Sequence, residues 1–74
     1  MKKVQKKRAA AGESGSAKAN AVVLAGLRLF TQYGYRKTSI DEIARAAQVA
    51  KRTVYLHFEN KAAVFLAILE YLGD

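Results

Sequence analysis

The residues best suited to chemistry lie together in the stretch AKRTVYLHF, residues 50–58. Two adjacent cations, Lys51 and Arg52, are followed by the hydroxyl groups of Thr53 and Tyr55. Ammonium, guanidinium and hydroxyl groups all donate hydrogen bonds to phosphate, and a guanidinium can donate two parallel bonds to one partner. The stretch therefore has the chemistry of a surface that binds anions. The alternative is a charged face that contacts only water.

Catalysis and metal binding have little support. Asp41 and Glu42 are adjacent, so on a helix their side chains diverge by about 100° and cannot face each other across a substrate. His57 is the only histidine and the chain contains no cysteine, which leaves His57 without partners for a metal site. No Gly-rich phosphate loop or nucleophile motif is present. We therefore expect no enzymatic activity, no catalytic residue, no metal and no cofactor, with His57 as a partly packed surface residue or a backbone contact.

The composition limits what the chain can build. Its 74 residues allow one domain, and a chain of that length buries only about 60% of its unfolded surface, too little for a large enzymatic cleft. No apolar run approaches the roughly 18 residues of a membrane span, and the basic start lacks the apolar centre of a signal peptide. The absence of cysteine fits a reducing compartment. We expect a cytoplasmic protein.

Positive charge is concentrated at the N-terminus. The net charge is +7, and six of the 13 Lys and Arg residues fall within residues 1–18, against one acidic residue. The segment has no aromatic residue and cannot bury enough surface to order itself. We predict that residues 1–17 form a flexible, disordered basic arm, which suits a polyanion. A solubilising tail is the alternative.

Beyond residue 18 the apolar spacing predicts helices. Residues at intervals of three and four draw one core-facing stripe along a first helix: Val22, Gly26, Leu29, Phe30 and Tyr33. Ser16 or Asn20 is a candidate cap for its start, and Gly34 follows its last turn, where a residue with positive φ commonly ends a helix. Because Gly26 weakens a helix interior, its presence predicts a close approach by a neighbouring helix.

Two short helices with a tight turn between them are predicted next. Thr38 or Ser39, with an acidic residue three positions on, can form a capping box that starts a helix near Ser39. The buried face of that helix is predicted to be Ile40, Ile43, Ala44 and Ala47. A turn at residues 48–50 then leads to a helix from Lys51 to about His57, with Val54 and Phe58 facing inward.

The last segment is predicted to be a helix that is apolar over most of its circumference. Asn60 is its candidate N-cap, and its apolar residues are Val64, Phe65, Leu66, Ile68, Leu69, Tyr71 and Leu72. Three short helices cannot surround such a helix. We expect the chain to be a fragment whose last helix packs partly against something absent, with self-association of an isolated domain as the alternative.

Two short helices joined by a tight turn, with polar residues on the outer face of the second, are typical of a helix-turn-helix. In that motif the second helix enters the major groove of DNA and its residues contact bases and phosphates. The sequence therefore predicts an all-α fold: a three-helix helix-turn-helix domain plus the start of a fourth, connecting helix. Binding to an anionic membrane or to a partner helix and non-specific binding of DNA are the competing functions.

The run from Val22 to Leu66 resembles the N-terminal DNA-binding domain of the tetracycline-repressor (TetR) family of bacterial transcription regulators. The landmarks are LF followed by GY at residues 29–35, TS followed by IA at residues 38–44, and TVYLHF followed by NK at residues 53–61. The resemblance implies that residues 18–74 are such a domain and that the C-terminal domain for ligand binding and dimerisation is absent. It implies a homodimeric repressor, or occasionally an activator, that leaves a palindromic operator when a small molecule binds. Without that C-terminal domain, we expect the present chain to be a monomer.

The resemblance also implies which residues contact double-stranded DNA. They are Thr38 at the start of the second helix, Lys51, Arg52, Thr53 and Tyr55 on the recognition helix, and Lys61 in the first turn of the next helix. Ser39 and His57, which lie beside these residues in the sequence, are further candidates for contacts with DNA. Tyr55 can donate to a phosphate or lay its ring on a thymine methyl group. Arg52 and Thr53 are the expected readers of sequence, because the other contacts mainly fix position.

Four positions depart from the family pattern. Gln48 stands where Gly is usual, and a residue other than Gly or Asn is strained at positive φ. Ala50 replaces a Ser that would cap the recognition helix. Arg52 replaces a frequent Gly, so the base specificity of relatives does not transfer. Ala62 replaces a Glu in the first turn of the last helix, which leaves that turn more attractive to phosphate.

Overall fold

Within residues 10–73 the chain forms four helices and no strand. This computed structural model describes the backbone of residues 10–73 and the side chains of residues 17–73. The helices are α1 (Ala10–Tyr33), α2 (Ile40–Ala47), α3 (Lys51–His57) and α4 (Lys61–Gly73). The all-α prediction is confirmed: α2 and α4 begin directly after the predicted caps Ser39 and Asn60, and α3 has the predicted bounds.

The first helix begins earlier than predicted. It starts at Ala10, so the candidate caps Ser16 and Asn20 both lie inside it. The predicted flexible arm comprises residues 1–17, of which residues 1–9 lie outside the described residues. Residues 10–17 form the first turns of α1. The end of α1 matches the prediction: Gly34 has a φ of 94°, and its N–H donates to the carbonyl of Phe30 at 2.9 Å.

The buried face of α1 is wider than a single stripe. Val22 is fully buried, and Val23 and Ala25, outside the predicted stripe, are also buried. The physical reason is that α1 packs against α2, α3 and α4 together. Tyr33 is 56% exposed and lines an open cleft beside α2 instead of joining the core. Its assignment to the core-facing stripe was therefore wrong.

The core contains one completely buried aliphatic side chain from each helix: Val22, Ile43, Val54 and Val64. On α2, the predicted buried residues Ile40, Ile43 and Ala44 are confirmed, with Ala47 packed at the edge of the core. Because α3 places only Val54 fully inside, the rest of its short surface is left for other contacts.

Gly26 lies where α1 packs closely against side chains of α4. A Cβ atom added to Gly26 would lie 2.9 Å from Cγ1 of Val64 and 3.3 Å from Cδ1 of Ile68. Real Cβ atoms almost never come as close as the first distance, so only glycine lets the two helices pack at this separation. The predicted close approach is confirmed.

The outer side of α4 is an apolar surface. Val64 and Ile68 are buried against α1, whereas the exposed large side chains of this helix are Phe65, Leu66, Leu69, Tyr71 and Leu72. The prediction that three short helices cannot cover α4 is confirmed. Among the helices of residues 10–73, none is long and apolar enough to cross a membrane.

Candidate nucleic-acid interface

The start of α2 is fixed by a capping box. The backbone N–H of Glu42 donates to Oγ of Ser39 at 3.1 Å, and the N–H of Ser39 donates to Oε1 of Glu42 at 2.9 Å. Two backbone donors that the first turn leaves without helical partners are thereby satisfied. Of the two candidate hydroxyls, Ser39 is the cap.

Thr38 is buried and hydrogen-bonded to the loop between α1 and α2. Its side chain is only 2% exposed, and its hydroxyl donates to the carbonyl of Gly34 at 2.9 Å, with the carbonyl of Leu29 at 3.3 Å. A hydroxyl has one hydrogen to donate, and here that hydrogen points into the protein. In this conformation the Thr38 hydroxyl fixes the loop between α1 and α2, and a contact of Thr38 with a DNA phosphate stays a prediction.

The turn between α2 and α3 keeps a left-handed residue although no glycine is present. Gln48 has φ 62° and ψ 41°, and the N–H of Val49 donates to the carbonyl of Ala44 at 3.0 Å. At this position the chain either changes the geometry of the turn or tolerates backbone strain. The left-handed conformation is kept, so Gln48 bears the strain of a positive φ. Ala50 provides no side-chain cap for α3, because its methyl group cannot accept a hydrogen bond.

The recognition helix presents its polar residues to solvent. Val54 is fully buried and Phe58 packs partly against the core, which matches the prediction and sets the rotation of α3. Thr53 is half-buried, and the exposed residues of α3 are Lys51, Arg52, Tyr55, Leu56 and His57. The structure therefore brings the candidate residues of α3 together on its accessible sides.

Lys51 is held by an acidic residue of the preceding helix. Its Nζ lies 3.0 Å from Oδ1 of Asp41, with both side chains about half exposed at 54% and 55%. The hydrogen bond to Asp41 and the attraction of its carboxylate raise the pKa of Lys51 above the usual value, so Lys51 stays protonated near neutral pH. An exposed pair of this kind is weak, so the ammonium can exchange Asp41 for another anion.

Lys61 connects the start of α4 to the loop between α1 and α2. Its Nζ donates to the carbonyls of Tyr35 at 2.8 Å and of Thr38 at 3.1 Å, and it lies 4.2 Å from the centre of the Tyr35 ring. Two of its three donors are therefore used within the domain. The predicted cap of α4 is present, because Oδ1 of Asn60 accepts from the N–H of Ala63 at 2.9 Å.

These elements surround one open cleft of about 530 Å³ between the starts of α2, α3 and α4. Its basic residues are Arg36, Lys51 and Lys61; its other polar lining residues are Thr38, Ser39, Asp41, Tyr55, Glu59 and Asn60. Three cations against two carboxylates leave the cleft positive overall. The cleft is thus suited to a phosphate group. Arg52 and His57 do not line the cleft but lie on α3, which borders it.

The exposed cation Arg36 was missed by the sequence analysis. It lies in the segment RKTS, two residues before the buried Thr38, and lines the cleft together with residues of α2 and α3. The only local signal was a pair of cations next to a helix cap, which is common on protein surfaces. In the described residues, no group of three or more His, Cys, Asp or Glu side chains is arranged to hold a metal ion.

A capped helix, a left-handed turn and a short helix with a polar outer face, all packed on a long helix, define a helix-turn-helix domain of the kind found in transcription regulators. The chain belongs to the tetR family of bacterial regulatory proteins, whose family model matches residues 22–68. The family resemblance expected from the sequence is therefore confirmed.

Most of the similar curated proteins are named as HTH-type transcription regulators. The uncharacterized HTH-type regulator YuxN of Bacillus subtilis is 38% identical over 53 residues, which cover 72% of this chain and 18% of YuxN. RutR of Escherichia coli is 36% identical over 59 residues, or 80% of this chain and 28% of RutR. The A-factor receptor protein of Streptomyces griseus is 41% identical over 49 residues, or 66% of this chain and 18% of that protein. No solved structure matches the chain significantly.

Proposed function

We propose that the chain is the sequence-specific DNA-binding module of a bacterial transcription regulator and that α3 is its recognition helix. The observation that supports the proposal best is the orientation of α3: Val54 is fully buried, which turns Arg52 and its neighbours outward. The family membership and the net charge of +7 support the same function, because cations release the counterions condensed on DNA.

In this proposal the cleft receives a backbone phosphate. Lys51 exchanges Asp41 for the phosphate, and the hydroxyl of Tyr55 and the guanidinium of Arg36 lie in the same cleft to donate to it. Lys61 keeps one donor for the phosphate while its other two hold the loop. Ser39 acts through its cap, which fixes the backbone at the edge of the cleft. These contacts set the position of α3 in the groove but read no sequence.

Readout of sequence is assigned to the exposed side of α3. Arg52 can donate two parallel hydrogen bonds to guanine, a contact that discriminates between bases by about 1–3 kcal/mol. Thr53 is half-buried, so it contacts a base only where the DNA lies closest to α3. His57 extends the polar surface toward the C-terminal end of α3. Because the family resemblance implies a Gly where this chain has Arg52, we propose a base preference that differs from that of its relatives.

The complete protein is proposed to be a ligand-responsive repressor. The chain spans only 18% of YuxN and 28% of RutR, so the proposal assigns dimerisation and binding of a small-molecule effector to a further C-terminal domain. Residues 18–74 are then the DNA-binding domain, monomeric by itself, and the complete protein is a homodimer on a palindromic operator. The proposal includes a cytoplasmic location, on the nucleoid when bound, and no enzymatic activity, cofactor or membrane contact.

Selection from a random duplex pool at near-physiological salt, followed by sequencing, tests the proposal. The chain is expected to enrich one motif, either a symmetric site or a single half-site, and Arg52→Ala is expected to change one base pair of each half-site. Arg28→Ala is the matched control, because Arg28 is an exposed cation on α1 and its loss should leave the motif unchanged. Binding without enrichment of any motif would contradict specific readout and favour non-specific, charge-driven binding.

A further inference from the structure

The most exposed large apolar side chain in the described part of the chain is on the recognition helix. Leu56 is 79% exposed, more than any leucine of the apolar surface of α4. Single exposed apolar residues are ordinary on proteins, so exposure alone carries no conclusion. The position of Leu56 on α3 is what makes it informative.

Helix geometry places Leu56 on the outermost line of α3. Successive residues of an α-helix are rotated by about 100°, so Arg52 and Leu56, two positions before and after Val54, each point about 160° away from it. Val54 is completely buried, and Arg52 and Leu56 therefore face directly away from the core. They are one turn apart on the same side of the helix, about 6 Å along its axis.

The neighbours of Leu56 on the helix surface are polar. The residues three and four positions before it are Thr53 and Arg52, and Tyr55 and His57 flank it in sequence. A single apolar side chain among hydroxyl and cationic groups offers too little area for a protein partner, whose contact would need many such side chains. It matches a ligand whose surface is polar apart from one small apolar group.

We propose that Leu56 is a specificity-determining residue that contacts the 5-methyl group of a thymine in the major groove. The inference rests on the proposed function, in which this face of α3 enters the groove. Among the base edges exposed there, the thymine methyl is the one apolar group, and the other groups are hydrogen-bond donors and acceptors. Arg52 and Leu56 are about 6 Å apart along α3, which is less than two base-pair steps of about 3.4 Å. The thymine therefore lies within about two base pairs of the pair contacted by Arg52.

The experiment removes the methyl group without changing base pairing. Each thymine of the preferred duplex is replaced in turn by deoxyuridine, and the Kd is measured for the full chain, for Leu56→Ala and for Leu66→Ala. Burial of one methyl group corresponds to about a fourfold change in Kd. The wild-type chain is expected to lose about that factor at one thymine per half-site, and Leu56→Ala is expected to bind both forms of that duplex equally.

A control variant tests whether the loss of affinity on removal of the methyl group belongs to Leu56. Leu66→Ala removes an exposed leucine from α4 and should leave that loss of affinity unchanged. Methyl dependence that persists in Leu56→Ala, or that is absent at every thymine, would overturn the inference while the selected motif still supported the proposed function. If the wild-type chain selects no motif, both the proposed function and the contact are refuted.

Discussion

Replacing Gly26 by alanine tests the packing that holds α1 against α4. The new Cβ would lie 2.9 Å from Cγ1 of Val64 and 3.3 Å from Cδ1 of Ile68. Both neighbours are core side chains, 0% and 3% exposed, so neither can swing into solvent. Either the two helices separate or a buried side chain leaves its preferred rotamer.

The expected size of the effect is a balance of two terms. Overpacking a core costs typically about 1–3 kcal/mol, whereas alanine in a helix interior is about 1 kcal/mol better than glycine. We predict a net loss of about 1 kcal/mol in the free energy of unfolding. For a domain of this length, that corresponds to a fall in Tm of about 4–8 °C.

Thermal and urea denaturation followed by circular dichroism measure this loss. Gly73→Ala is the matched control, because Gly73 is also helical but a Cβ there meets nothing within 4 Å, and its Tm should not fall. In a Val64→Ala background the contact at 2.9 Å is removed, so Gly26→Ala should become neutral or stabilising. A higher Tm for Gly26→Ala in the wild-type background would refute the close approach.

Three further predictions concern the residues around the cleft. Ser39→Ala should lower the free energy of unfolding by about 1 kcal/mol, because it removes the cap that pairs with Glu42; denaturation checks this, and an unchanged stability would contradict the role of the capping box. Asp41→Asn should tighten binding to every duplex and steepen its salt dependence, because Lys51 is released; fluorescence anisotropy at several salt concentrations measures both, and the same increase in a Lys51→Ala background would exclude the exchange. Lys61→Met should lower the free energy of unfolding by about 1–2 kcal/mol, since it loses charge-assisted hydrogen bonds to two carbonyls; wild-type stability would contradict its structural role.

The parts of the fold that sequence reasoning located correctly are governed by local interactions. The cap at Ser39 involves a partner three residues away, and the ends of the helices at Gly34 and Asn60 depend on the conformations that those residues favour. The inward direction of Val54 follows from the helical period. Such features can be read from a few adjacent residues.

The features that were missed depend on distant parts of the chain. Thr38 and Ser39 are both hydroxyl residues at plausible capping positions, and only the packing of α1 decides that Thr38 is buried. The carbonyls that hold Lys61 belong to residues 23 and 26 positions earlier, a pairing that no local pattern encodes. Tyr33 fits the helical stripe, yet it lies where α1 has passed beyond the core.

NMR shows whether the outer face of α3 and the adjacent cleft bind DNA. Amide chemical shifts of the isotopically labelled chain would be recorded during titration with the selected duplex and with an unrelated duplex of equal length. We predict that the selected duplex produces the largest changes at residues 36–41 and 51–57, with little change along residues 65–72 of α4. Changes concentrated on α4 and absent from α3 would contradict the claim.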